Sequence, residues 1–216
     1  YLDGTAAADG SGASPDSPVR TFEKAMAILS KSGGAIPAKI ILCGPVTVSG
    51  TETWSSPLDE TVEVTRWDDS ALTLNQFVTV ADGGSLTLEE ITVDGHRHGV
   101  TGAAEIAAPG IISETAITVN EGSLILNEGA VLQNNASKLP GGAIATPLSA
   151  MDKSIEIEIN GGKITGNLGM SGTDTNSVGA IFVGQGASLK MTDGEISDNE
   201  GGEAQYMIGG ICLLYT

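Results

Sequence analysis

The sequence predicts an all-β fold: short parallel strands stacked as a solenoid behind one capping helix. Three observations predict it. Leu124–Asn134, Ile157–Asn167 and Leu189–Asn199 superimpose without gaps on the pattern apolar-x-apolar-x-x-Gly-x-apolar-x-x-Asn. Leu86, Leu124, Ile157 and Leu189 recur at intervals of 38, 33 and 32 residues, a period carried by alternating strands and not by helix pairs. The 216 residues include 30 glycines, with aromatics at only 4%, a composition suited to many corners and an interior of Ile, Leu and Val.

Residues 1–39 form the predicted cap. Within it, 18–31 reads as the amphipathic helix: Ser17 suits the N-cap and Pro18 the first turn. Phe22, Ala25, Met26 and Leu29 share one face, and Gly33-Gly34 ends the pattern. A solenoid needs such a cover at an open end, where backbone groups and apolar side chains lack neighbours.

Residues 40–216 form the predicted coils. Ile40–Leu42, Val46–Val48, Val62–Val64 and Leu72–Leu74 alternate without the Gly and Asn marks and read as irregular first coils. A second short strand precedes each of the three marked repeats, at Ala116–Val119, Gly142–Ile144 and Gly179–Val183; Phe77–Val80 stands likewise before a fourth copy at Leu86–His96 that lacks the Gly and Asn, and Gly210–Leu213 is the last such strand. Alternation places one apolar side chain above the next at about 4.8 Å. Gly129, Gly162 and Gly194 are expected at corners that need positive φ, and Asn134, Asn167 and Asn199 are expected to form a ladder of amides along the stack. Stretches near 95–113, 136–141, 147–153 and 168–177 read as loops. The repeat that starts at Gly209 stops partway through a coil, so the solenoid is expected to continue beyond residue 216 as part of a longer polypeptide.

Charge excludes some functions. With 10 Lys and Arg against 27 Asp and Glu, the net charge is −17, which argues against nucleic-acid partners and against anionic lipid surfaces. No apolar run reaches the length of a membrane span, so direct membrane insertion is not expected. Cys43 and Cys212 fall near opposite ends of the stack, beyond the ~7 Å Cα reach of a disulfide, and are expected as buried free thiols.

Tyr1-Leu-Asp3-Gly4-Thr5, Asp9-Gly10-Ser-Gly12 and Ser14-Pro15-Asp16-Ser17-Pro18-Val-Arg-Thr21-Phe22-Glu-Lys-Ala25 resemble the opening of bacterial proteins of the pectate-lyase-like superfamily. The Gly-Gly-x-Ile and Gly-x-Ile-x-x-Asn units are similar to repeats of secreted or wall-anchored surface proteins of gut bacteria. The resemblance implies a right-handed, single-stranded parallel β-helix and an extracellular or cell-wall-anchored location. It leaves activity open, because the superfamily holds lyases, hydrolases, tailspikes and adhesins.

Chemistry-bearing residues concentrate where the irregular coils meet the first long loop. Arg66-Trp67-Asp68-Asp69 and Asp94-Gly-His96-Arg97-His98 become neighbours if successive coils stack in register. Asp68, Asp94, His96 and Arg97 are the catalytic candidates, since sugar cleavage needs a proton donor or acceptor beside a carboxylate. Arg66, Trp67, Asp69 and His98 are the ligand-binding candidates, with Trp67 as a stacking face. No cofactor is required by these residues; calcium at Asp3, Asp9 and Asp16 is the candidate metal site, set against their ordinary use in Asx turns. Trp54 reads as core. With only three arginines and strong negative charge, the reading is a non-catalytic adhesin, glycan-binding module or rigid stalk whose partners are host or plant glycans or mucin. A polysaccharide lyase or glycoside hydrolase of the same fold is the alternative.

Overall fold

Alternation and β-branched content make strands out of segments too short to hold themselves, so each depends on pairing with the next repeat. The computed structural model describes residues 1–31, 38–56, 61–66, 78–97, 114–170, 176–202 and 206–214. The helix α1 spans Phe22–Lys31. The strands follow in chain order. First come β1 (Lys39–Leu42), β2 (Val46–Val48), β3 (Thr51–Ser55), β4 (Val62–Arg66), β5 (Val78–Val80), β6 (Gly84–Glu89) and β7 (Ile91–Asp94). Next are β8 (Ile117–Val119), β9 (Gly122–Leu126), β10 (Val131–Gln133), β11 (Ala136–Ser137), β12 (Ile144–Ala145), β13 (Ile155–Thr165) and β14 (Leu168–Met170). Last are β15 (Asn176–Val178), β16 (Ile181–Val183), β17 (Ser188–Ser197), β18 (Glu200–Gly202), β19 (Tyr206–Ile208) and β20 (Ile211–Leu213).

Every named strand pairing among the described residues is parallel. The largest sheet is curled: β1-β4-β7-β10 and β3-β6-β9 are two stacks that meet on the two halves of the long strand β13, and β17 pairs with both halves. A second sheet runs β2-β5-β8-β12-β16-β20, and smaller ones run β11-β14-β18 and β15-β19. Parallel strands in several curled sheets are compatible with a β-helix-like solenoid. Among the described residues no helix is long and apolar enough to cross a membrane.

The core lies where the sheets face one another. Leu86, Leu124, Ile157 and Leu189 stand in register, as do Leu88, Leu126, Ile159 and Met191. From the second sheet come Val46, Val78, Ile117, Ile144, Ile181 and Ile211. The middle members are fully buried; Met191 and Ile211 in the last repeat are exposed. A smaller cluster of Ala145, Val178 and Phe182 is separate from this interior.

The cap differs from expectation at its start. The helix begins at Phe22, not at 18, because Val19 is used as extended chain: Leu2 bridges both Leu42 and Val19, and Val19 N donates to Tyr1 O at 3.0 Å. Thr21 takes the N-cap role, its hydroxyl accepting from Lys24 N at 3.3 Å, while the Ser17 hydroxyl accepts from Ser11 N. Phe22, Ala25 and Met26 are buried and Leu29 packs partly against the core. Gly33-Gly34 and Leu72–Leu74 lie outside the described residues. Parts of 136–141 and 168–177, expected as loops, are the short strands β11, β14 and β15, whose small or glycine-rich composition hides them. Cys43 is buried and Cys212 half-buried; both are free.

Candidate ligand-binding site

The stacking expected at the candidate site is present. β4 pairs with β7 so that Thr65 faces Asp94, and β7 pairs with β10 so that Asp94 faces Gln133. Arg66 is therefore one residue from the strand partner of Asp94. Trp67, Asp68, Asp69 and His98 lie outside the described residues.

The described members are used by the wall. Asp94 is buried, and its Oδ1 accepts from His96 N at 2.7 Å, closing an Asx turn. Its Oδ2 accepts from Gln133 Nε2 at 2.8 Å and Asn134 Nδ2 at 2.9 Å, both in the next repeat. Both oxygens are thus taken by N–H donors, whereas a general acid or base needs an oxygen facing its substrate. His96 is exposed and sits at φ 57°, a left-handed turn conformation. Arg97 runs along the stack: Nη1 donates to Gly166 O at 3.2 Å and Nη2 pairs with Glu200 Oε2 at 3.0 Å.

Arg66 points inward, 5% exposed, in register with Leu42. Its Nη2 lies 3.4 Å from Glu114 O. Burial pushes its guanidinium well below the ordinary arginine value, and the charge of Glu114 opposes that shift. Burial also raises the Glu114 carboxyl, opposed by Arg66 and Lys138.

The amide ladder begins one residue later than the sequence suggests. Asn135 N donates to Asn167 Oδ1 at 3.0 Å, and Asn167 N donates to Asn199 Oδ1 at 3.0 Å. Asn167 Nδ2 also reaches Leu132 O and Asn199 Oδ1, and Asn199 Nδ2 reaches Ile164 O. Asn135 Nδ2 donates to Glu114 O, the same carbonyl that faces Arg66. Asn134 is exposed at φ 52° and is not a rung. The cause is the turn at Asn127–Ala130, closed by Ala130 N to Asn127 O at 3.2 Å, with Gly129 at φ 73°. That turn holds one residue more than the corner at 160–162, so Leu132, not Val131, stands in register with Ile164. At the latter corner the positive φ is at Gly161 and not Gly162.

The expected calcium residues do not converge. Asp3 Oδ1 accepts from Thr5 N and Thr5 Oγ1, whereas Asp9 accepts from Arg20 N and pairs with Lys24. Asp16 is exposed. Among the described residues no group of three His, Cys, Asp or Glu side chains is placed to hold a metal ion.

The sequence reading missed a different place. Trp54 is buried, its ring stacked on Phe22 with centroids 4.8 Å apart, and its Nε1 donates to Glu52 Oε2 at 2.9 Å. A cavity of about 450 Å³ lies there between α1 and β3. The available signal was Glu52 itself, a carboxylate two residues before an inward Trp. No family model matches the chain, and no curated protein or solved structure is significantly similar to it.

Proposed function

We propose that the chain is a right-handed, single-stranded parallel β-helix of the pectate-lyase-like kind that binds glycan without cleaving it. It serves at an extracellular or wall-anchored bacterial surface. The observation that carries the non-catalytic reading is Asp94: this carboxylate, the one candidate-site carboxylate among the described residues, spends both oxygens on the turn and the neighbouring repeat. Arg66 is buried and Arg97 ties three repeats together, so neither is offered to a polyanionic substrate. The right hand is supported by the strong preference of parallel strand connections for that sense, and the surface location by the repeat resemblance alone.

The test is a glycan array carrying host mucin and plant polysaccharides. Retention of the chain on a defined subset supports the reading. Absence of binding to every glycan contradicts it and leaves a spacer.

A further inference from the structure

Glu52 interrupts a column that is otherwise apolar. It stands in register with Leu86, and that column continues through Leu124, Ile157 and Leu189. Leucine at this place would add apolar burial against Leu86, so a carboxylate here departs from what the stack favours. Such departures mark places where something other than packing decides the residue.

The surroundings supply a chemical use. With Oε2 held by Trp54 Nε1, Glu52 Oε1 has no hydrogen-bond partner among the described residues. Glu52 borders two cavities, one of about 450 Å³ against α1 and β3, the other of about 320 Å³ toward Arg20, Lys24 and Thr47. The larger is within the usual range for small-ligand clefts. β3 ends its stack, pairing with β6 on one side only. Ser85 N donates to Gly50 O at 2.9 Å, so parallel geometry directs the N–H and C=O groups of Thr51 and Thr53 to the free edge.

We infer that this cleft at the capped end binds a saccharide, with Glu52 as the residue that fixes it. The inference rests on the glycan-binding reading and gives that reading a site. A pyranose matches the lining in three ways. Neighbouring ring hydroxyls donate to the carboxylate, as charge-assisted bonds. Other hydroxyls both donate and accept along the Thr51–Thr53 edge and at Thr21. The C–H face of the sugar lies against Phe22 and Met26.

The test takes a saccharide retained by the wild-type chain and measures its affinity and the thermal midpoint of four proteins: wild type, Glu52→Gln, Glu52→Leu and His96→Ala. Glu52→Gln is expected to bind about tenfold or more weakly, as loss of a charged hydrogen-bond acceptor implies. Glu52→Leu is expected to lose binding while its midpoint stays within a few degrees of wild type, because the apolar burial gained in the column offsets the Trp54 Nε1–H left without its acceptor. His96→Ala is expected to bind as wild type. Unchanged affinity in both Glu52 variants overturns the inference, as does loss of binding in His96→Ala alone, which keeps the glycan reading and moves its site. Failure of the wild-type chain to bind any saccharide removes the reading and this site with it.

Discussion

Asn135 and Asn167, 32 residues apart, are joined by a hydrogen bond of 3.0 Å from the Asn135 backbone N–H to the Asn167 side-chain oxygen. Asn167 and Asn199 repeat that bond at the same distance and the same spacing. Asn135 and Asn167 are fully buried, so each amide replaces water that a buried corner cannot admit.

Asn167→Ala is therefore expected to destabilise the chain by about 2–3 kcal/mol, since it strands the buried Asn135 N–H and removes a second donor from the carbonyl of Leu132. Asn134→Gly is expected to cost less, about 1 kcal/mol, because glycine suits the positive φ and Asp94 Oδ2, which loses Asn134 Nδ2, keeps Gln133 Nε2 as a donor. Urea unfolding of both variants checks this. Equal losses would return the ladder to Asn134.

The stack makes a second contrast. Ile157 is buried between Leu124 and Leu189, whereas Leu189 in the last repeat is only partly buried. Ile157→Asp is expected to cost more than about 4 kcal/mol, as an unpaired charge in the core does, and Leu189→Asp about 1–2 kcal/mol. Thermal unfolding followed by circular dichroism measures both, and a tolerated Ile157→Asp would place that side chain outside the core.

Acid should loosen the cap. The carboxyl of Asp9 is lowered from 3.8, first by its bond to Lys24 and then by the Arg20 amide. A depressed carboxylate contributes stability above its unfolded value and loses it as pH falls through the lower folded value. Wild type is thus expected to lose midpoint relative to Asp9→Asn below pH ~4, and the gap between them to be constant above pH ~5. A gap unchanged down to pH ~2 would mean that Asp9 does not hold the cap.

The register of the repeats was legible because Leu86, Leu124, Ile157 and Leu189 carry both hydrophobicity and period. The slip at Asn134 was not, because a gap-free alignment absorbs the extra residue of the Asn127–Ala130 turn. The backbone shows the slip: Gly166 and Asp198, the residues before Asn167 and Asn199, both adopt positive φ, and Asn134 occupies that slot before Asn135. The helix start was misplaced because Ser17-Pro18 imitates a capped first turn, and only the long-range bridge from Leu2 to Val19 draws Val19 into extended chain. At the candidate site, proximity of Arg66 and Asp94 followed from stacking, but local pattern does not reveal that Gln133 and Asn134 would consume the carboxylate.

The most direct test of the central claim, that the described residues of this wall present no catalytic pair, is the chain length of mucin glycans and plant polysaccharides after incubation with the protein, read by size-exclusion chromatography. The expected result is no change with wild type and none with Asp94→Asn. Shortening by wild type that Asp94→Asn or His96→Ala abolishes would contradict it.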